Sequence, residues 1–141
     1  MGDSAGALVI LSILQMINEE KEKKPKAIML ISPWLDFSLS SLDIKDFEKD
    51  DKVLSLDRFK GLEAYEAKDR TMISPMYYHY DEKIHIYAGT NDILYPDMHF
   101  FEEHNPGVVM KVFQGCPHVF PLLPMKQSKI VHQDIIENIK N

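Results

Sequence analysis

The residues just after Met1 form a pattern that could present a serine for nucleophilic attack. Residues 2–6 read Gly2-Asp3-Ser4-Ala5-Gly6. This matches G-x-S-x-G, the sharp strand-to-helix turn that exposes a serine hydroxyl. We expect both glycines to be steric requirements, since a side chain at either position would clash where the two backbones nearly touch. Five residues alone are a weak signal, so the role of Ser4 depends on partners elsewhere in the chain.

Two later loops carry the residue types that a nucleophilic serine needs. A serine hydroxyl attacks effectively only when a base removes its proton, and an acid must orient that base. Asp92 follows the segment 84–89 and His118 follows the segment 108–113, and both segments are rich in strand-forming residues. The order Ser4, Asp92, His118, with each residue placed after a strand, predicts a nucleophile, an acid and a base that meet at one edge of a sheet.

The predicted roles leave alternatives open. His118 would take the serine proton and return it to the leaving group, Asp92 would hold the imidazole in the right tautomer, and the backbone N–H of Ala5 would be one oxyanion donor. Asp92 could instead be an ordinary residue of the turn-rich stretch Gly-Thr-Asn-Asp. Asp97 is a competing acid, although it lies within the next predicted helix. His118 could be a packed loop histidine.

The other titratable side chains do not indicate a metal site or a cofactor. His99 and His104 are one residue away from the i, i+4 spacing that puts two ligands on one helical face. The remaining histidines show no metal spacing either: His79, His85 and His132. We interpret the only cysteine, Cys116, as a small buried side chain. It cannot easily be a nucleophile for His118, because both residues are in the same short loop. The sequence therefore predicts neither a metal nor a cofactor.

The elements that would position these residues alternate between helix and strand. Residue 5 to about residue 22 reads as a helix that is apolar nearly all round and therefore buried. Residues 27–31 form a short apolar run between prolines, typical of a parallel strand covered on both faces. Helices are predicted over 96–104 and 125–140. The pattern predicts an α/β fold, with a parallel sheet of about three strands flanked by helices.

Residues 36–75 interrupt this alternation. The stretch from Asp43 to Arg70 is crowded with charges of both signs, and four apolar positions predict one amphipathic helix: Leu56, Phe59, Leu62 and Tyr65. We interpret 36–75 as a helical insert at the C-terminal edge of the sheet, where ligands bind in such folds. The alternative is a plain helical connection on the surface.

Composition restricts the class of protein. The chain has 141 residues, 45% hydrophobic and 27% charged, which predicts a single domain over 1–141. A net charge of −6 with dispersed basic residues argues against a nucleic-acid partner. One cysteine fits a reducing cytoplasm. The longest apolar run is too short to span a bilayer and no signal peptide is visible, so we expect a cytoplasmic location and no membrane partner.

Taken together, these segments resemble the hormone-sensitive-lipase-like family of α/β-hydrolases, the branch that includes bacterial acetyl esterases and carboxylesterases. The matching pieces cover nearly the whole chain: residues 2–6, Ser32-Pro33-Trp34-Leu35-Asp36, Ile73-Ser74-Pro75, residues 89–97, and Pro117-His118-Val119-Phe120. The resemblance implies Ser4 as nucleophile, Asp92 as acid and His118 as base. It also implies small esters with short acyl chains as substrates.

The chain departs from that family in what precedes the serine. Family members carry a His-Gly-Gly-Gly-type segment that supplies further oxyanion donors, and this chain has none. By analogy, residues 1–141 correspond to the C-terminal portion of a family member, starting at the turn around Ser4. Two functions therefore compete: a serine ester hydrolase, and a truncated, catalytically inactive remnant that persists as a folded or oligomeric domain. The missing strand beside Ala27 to Ile31 would leave an open apolar edge, so we expect a homo-oligomer.

Overall fold

Four parallel strands form the centre of the molecule. A computed structural model of the chain describes residues 1–41, 43–61 and 74–140. The strands are β1 (Gly2–Asp3), β2 (Ile28–Ile31), β3 (Ile84–Asn91) and β4 (Val108–Pro117), in the spatial order β1-β2-β3-β4. All neighbouring pairs are parallel. The predicted α/β class is confirmed. The sheet has four strands where about three were predicted. The additional strand is β1, which pairs with Leu30 and Ile31 of β2, so the expectation that the strand beside β2 is missing is wrong at that end. Two residues are too few to show a periodic pattern in the sequence.

Helices connect the strands and cover the sheet. Among the described residues they are α1 (Ala5–Glu20), α2 (Ile44–Glu48), α3 (Tyr95–His104) and α4 (Lys126–Lys140). The same part of the chain also has short 3-10 segments: Leu56–Phe59, Pro75–Tyr77 and Phe120–Leu122. No helix in the described part of the chain is long and apolar enough to cross a membrane.

Alternate residues of the central strands face two separate hydrophobic clusters. Ile28 and Leu30 of β2 pack with side chains of α1 and α3, while Met29 and Ile31 pack on the opposite face with side chains of α4. All four of these β2 residues are buried. This is why the β2 sequence is continuously apolar rather than alternating, as expected for a parallel strand with both faces covered.

The helix α4 is fastened to the sheet by a polar contact as well as by packing. The hydroxyl of Tyr87 in β3 donates to Asp134 Oδ2 at 2.8 Å. Lys111 in β4 forms an ion pair with the other oxygen of the same carboxylate. Because Tyr87 and Lys111 are register partners in the sheet, one carboxylate joins α4 to both strands.

The helix α1 is buried on one side only, so the prediction of a helix buried nearly all round is wrong. Its buried apolar residues recur at helical spacing: Ala7, Leu11 and Leu14. The opposite side is exposed although it is also apolar: Val9, Ile13 and Met16, each at least half exposed. The sheet can contact only one side of this helix, so the second apolar side stays uncovered in the chain.

The insert differs from the single amphipathic helix that the sequence predicted. Of its described residues, 44–48 form the five-residue helix α2 and 56–59 form a 3-10 turn. Leu62, Tyr65 and Ile73 lie outside the described residues. Aromatic contacts hold the insert at the carboxyl ends of the strands, where it was expected: the rings of Phe47 and Tyr95 are 5.9 Å apart.

Candidate active site

Ser4 occupies a strained turn between β1 and α1. Its backbone has φ 48° and ψ −122°, a region that residues with a side chain rarely adopt and that costs about 1–3 kcal/mol. Neighbouring backbone groups hold it there. The Ser4 N–H donates to the carbonyl of Ile31 at 3.0 Å, and the Ser4 carbonyl accepts from the N–H of Trp34 at 3.1 Å. The turn is therefore fixed to β2 and to the residues that follow β2.

Of the two glycines around the serine, only one is required by space. A Cβ on Gly2 would lie 2.5 Å from Ile10 Cδ1 and 2.9 Å from the Gly6 carbonyl group, closer than side-chain atoms approach one another. A Cβ on Gly6 would meet nothing within 4 Å. The steric prediction therefore holds for Gly2 and is wrong for Gly6, because Gly6 faces outward from α1.

Three side chains form a continuous line of hydrogen-bond contacts at the carboxyl ends of the strands. His118 Nε2 lies 3.0 Å from Ser4 Oγ. His118 Nδ1 lies 3.0 Å from Asp92 Oδ2 and 3.1 Å from Asp92 Oδ1. Asp92 and His118 are both buried. A neutral imidazole that donates from Nδ1 to the carboxylate keeps Nε2 as an acceptor for the serine hydroxyl.

Asp92 is a turn residue and also the partner of His118, so the two interpretations of this residue do not exclude each other. Its N–H donates to the carbonyl of Gly89 at 3.3 Å, and its Oδ1 accepts from the N–H of Leu94 at 2.9 Å. These turn contacts fix the carboxylate from its own side of the strand end. The imidazole then approaches from the loop after β4.

Asp97, the competing acid, is placed elsewhere. It lies inside α3, is almost fully buried, and its Oδ2 has no hydrogen-bond partner among the described residues. Burial, and secondarily the charge of Asp36, raises the pKa of Asp97 to about 7. The structure brings Asp92, and not Asp97, to His118.

The loops that carry Asp92 and His118 are themselves in close contact. A Cβ on Gly89 would lie 2.1 Å from the carbonyl oxygen of Cys116, so the two strand ends approach as closely as a glycine allows. The hydroxyl of Thr90 accepts a hydrogen bond from the N–H of Gly115 at 2.8 Å. Cys116 is a buried free thiol whose pKa is raised by burial, which makes it a poor nucleophile.

Two further residues contact the site, and the sequence analysis did not assign them a role. The hydroxyl of Ser32 accepts from the N–H of Val119, next to His118, at 2.9 Å. The carboxylate of Asp51 accepts from the N–H of Ile93, next to Asp92, at 3.1 Å. The Ser32-Pro33 pair that directly follows β2 is a sequence signal that could have drawn attention to Ser32. No signal singled out Asp51, because it lies in a stretch crowded with charge.

Ala5 is the remaining residue that was predicted to belong to the site. Ala5 is the first residue of α1 and is exposed, so its N–H is at the start of the helix beside Ser4. Its role as an oxyanion donor stays a prediction. Over residues 1–41, 43–61 and 74–140, no group of three or more His, Cys, Asp or Glu side chains is arranged to hold a metal ion.

Comparison with known families decides the family of the chain. A family model described as the α/β-hydrolase fold matches residues 1–122. The chain belongs to the α/β-hydrolase family. An esterase of Acinetobacter venetianus is similar to this α/β-hydrolase over 118 residues at 28% identity, which covers 79% of this chain and 39% of that protein.

Solved structures are similar to nearly all of the chain. A Staphylococcus aureus protein described as a candidate esterase matches with a TM-score of 0.87 and 27% identity, over 100% of this chain and 52% of that one. A hormone-sensitive lipase from a metagenome library matches with a TM-score of 0.83 and 22% identity, over 95% of this chain and 49% of that one. The fold is that of the hormone-sensitive-lipase-like α/β-hydrolases, and this α/β-hydrolase chain spans about half the length of these structures.

Proposed function

We propose that this chain acts as a serine carboxylic-ester hydrolase on small esters with short acyl chains. The observation that carries the proposal is the unbroken line from Asp92 through His118 to Ser4, with each contact at 3.0–3.1 Å. The similarity to an esterase of Acinetobacter venetianus supports the same reaction class. A cytoplasmic location remains an expectation, and it is based only on the presence of a single cysteine.

The geometry supports an acyl-enzyme mechanism. Ser4 Oγ attacks the ester carbonyl carbon while its proton passes to His118 Nε2, and Asp92 stabilises the resulting imidazolium. Collapse of the tetrahedral intermediate expels the alcohol, which takes the proton from His118 and leaves an acyl group on Ser4. Water then attacks the acyl group, with His118 again taking a proton. The carboxylic acid is released and Ser4 regains its hydrogen.

We expect slow turnover by the chain on its own. In the proposed mechanism Ala5 N–H supplies one oxyanion donor, and the 141 residues contain no His-Gly-Gly-Gly-type segment to supply the others. Losing one such donor lowers kcat by about 10²–10³. Hydrolysis of p-nitrophenyl acetate should therefore be weak, above the uncatalysed rate, and reduced to background by Ser4→Ala.

The matched control is Ser41→Ala, which removes a hydroxyl from the insert and should leave turnover unchanged. Comparing acetate, butyrate and octanoate esters tests the expected preference for short acyl chains. Turnover that survives Ser4→Ala would contradict the proposal. Rapid turnover that Ser4→Ala abolishes would keep Ser4 as the nucleophile and show that other donors complete the oxyanion site.

The second candidate function is a folded, self-associating domain without catalysis, favoured by the exposed apolar side of α1. Val9, Ile13 and Met16 are each at least half exposed. The helix α1 directly follows β1, whose two residues pair, among the described residues, only with Leu30 and Ile31 of β2. An exposed apolar helix surface and a short edge strand are both features that a second copy of the chain could cover. We propose a homo-oligomer that uses this surface.

The association is tested by light scattering at micromolar concentration. We expect a dimer or larger species that Ile13→Glu converts to monomer, because the substitution places a charge in the buried contact. Ile130→Glu is the control, since Ile130 is equally exposed but lies on α4 at the opposite face of the sheet. A monomeric parent chain would refute the proposed oligomer.

A further inference from the structure

Ser32 holds the residue that follows His118. Ser32 is fully buried and its own N–H donates to the carbonyl of Tyr87 in β3 at 3.1 Å. Its hydroxyl accepts from the N–H of Val119 at 2.9 Å. Both residues have positive φ, 44° for Ser32 and 47° for Val119, and for a β-branched residue such as Val119 this is a strained conformation. The hydroxyl therefore retains Val119, and with it the end of the His118 loop, in a conformation that it would not keep on its own.

Asp51 holds the residue that follows Asp92. Its Oδ2 accepts from the buried N–H of Ile93 at 3.1 Å. Its Oδ1 accepts from the N–H groups of Val53 and Leu54 at 2.9 and 3.1 Å. Asp51 is buried, and both oxygens of its carboxylate are engaged by backbone donors. Charge-assisted hydrogen bonds of this kind are stronger than neutral ones, so Asp51 fixes the insert to the loop of Asp92.

A third residue, Trp34, lies between Ser32 and Asp51 in the sequence and contacts Ser4. The N–H of Trp34 donates to the Ser4 carbonyl at 3.1 Å. Residues 32–51 thus contact Ser4, the residue after Asp92 and the residue after His118, which lie on three separate strand-to-helix connections. Among the described contacts, this one stretch is joined to all three.

We propose that Ser32 and Asp51 are positioning residues, which hold the loops of His118 and Asp92 so that the imidazole stays between the carboxylate and the serine. This rests on the proposed function, because the geometry matters only if Ser4, His118 and Asp92 react as a unit. The distances leave little tolerance, since a hydrogen bond weakens steeply beyond about 3.5 Å. A displacement of about 1 Å at a reacting group can lower the rate by about 10².

The test observes His118 directly by NMR in the full chain, so that it does not depend on turnover. A proton shared between His118 Nδ1 and Asp92 gives a downfield resonance that reports on this contact. We expect Ser32→Ala and Asp51→Asn each to broaden that resonance or shift it upfield, because the imidazole is then held less firmly against the carboxylate. Where turnover is measurable, kcat should fall about tenfold with KM unchanged.

The substitutions are chosen so that a structural role and a positioning role give different results. Asp51→Asn leaves one carbonyl oxygen, which cannot accept hydrogen bonds both from the N–H of Ile93 and from the N–H groups of Val53 and Leu54. The control Asp50→Asn removes the same charge one residue away, at an exposed position, and Ser41→Ala removes a hydroxyl from the same stretch. Both controls should leave the His118 resonance unchanged.

Each outcome decides the proposal. A variant that melts earlier but keeps the parent's His118 resonance while folded would overturn it, because the residue would then be merely structural. If Asp51→Asn does not fold, Ser32→Ala decides, since it removes a single oxygen atom. A parent chain with the shared proton but without ester turnover would count against the proposed function and leave the positioning result intact.

Discussion

Replacing Gly89 with alanine is expected to lower the free energy of unfolding by about 3 kcal/mol or more, at the upper end of what an added methyl group costs in a packed interior. The new Cβ would lie 2.1 Å from the carbonyl oxygen and 2.7 Å from the carbonyl carbon of Cys116. These are backbone atoms of β4, paired in the sheet with β3, so they cannot rotate away as the end of a flexible side chain could. The strand ends must separate, and with them the loops of Asp92 and His118.

The measurement is urea unfolding followed by circular dichroism. Gly6→Ala is the matched control, because a Cβ there meets nothing within 4 Å and alanine is favoured over glycine in a helix by about 0.5–1 kcal/mol. The two substitutions should therefore have opposite signs. A Gly89→Ala chain as stable as its parent would mean that the close approach of β3 and β4 is not a constraint on the fold.

The meeting of Asp92 and His118 could be predicted from sequence because parallel strands end at the same edge of a sheet. Each residue directly follows a recognisable apolar segment, so the placement of the segments places the residues. The position of Ser4 could be predicted only from its motif, because β1 has two residues and shows no periodic pattern of its own.

The contacts of Ser32 and Asp51 could not be predicted in this way. Each depends on one side-chain oxygen meeting one backbone N–H from a distant part of the chain, and such a contact leaves no periodicity in the sequence. The apolar spacing of α1 was also insufficient, because an apolar side chain shows only that burial is favourable. Whether Val9 and Ile13 are covered depends on which other elements are beside the helix.

For Asp97, the secondary structure was predicted correctly but the burial of the side chain was not predicted. Its position inside α3 was expected, but its burial was not, because a carboxyl group is usually exposed. Its Oδ2 has no partner among the described residues. Asp36 nearby is also buried, and burial by itself raises the pKa of its carboxyl group. The hydrogen bonds that Asp36 accepts from Ser38, Ser40 and Ser74 outweigh this effect, so the pKa of Asp36 is lowered overall. Asp36 therefore keeps its charge, and Asp97 is the group that retains a proton below its pKa of about 7.

The free energy of unfolding should therefore fall as the pH rises from 3.8 to about 7. In this range the unfolded chain has lost the Asp97 proton and the folded chain retains it. The pKa of this group is about 7 in the folded chain, against its ordinary value of 3.8. Between these values the folded state binds a proton that the unfolded state has released, so the free energy of unfolding decreases with increasing pH. A difference of about three pKa units corresponds to about 4 kcal/mol, all of it lost above about pH 7 and recovered below about pH 4.

Asp97→Asn should remove this pH dependence, since an amide has no proton to lose in that range. We expect the variant to be more stable than the parent by about 2–3 kcal/mol at pH 8, less than the full electrostatic term because the amide also needs hydrogen-bond partners. At pH 4 the two should be nearly equal. Thermal unfolding at pH 4, 6 and 8 provides the comparison, with Asp50→Asn as the exposed control that should follow the parent. An Asp97→Asn chain that is less stable than the parent at pH 8 would show that Asp97 is ionised in the fold and stabilised by a partner.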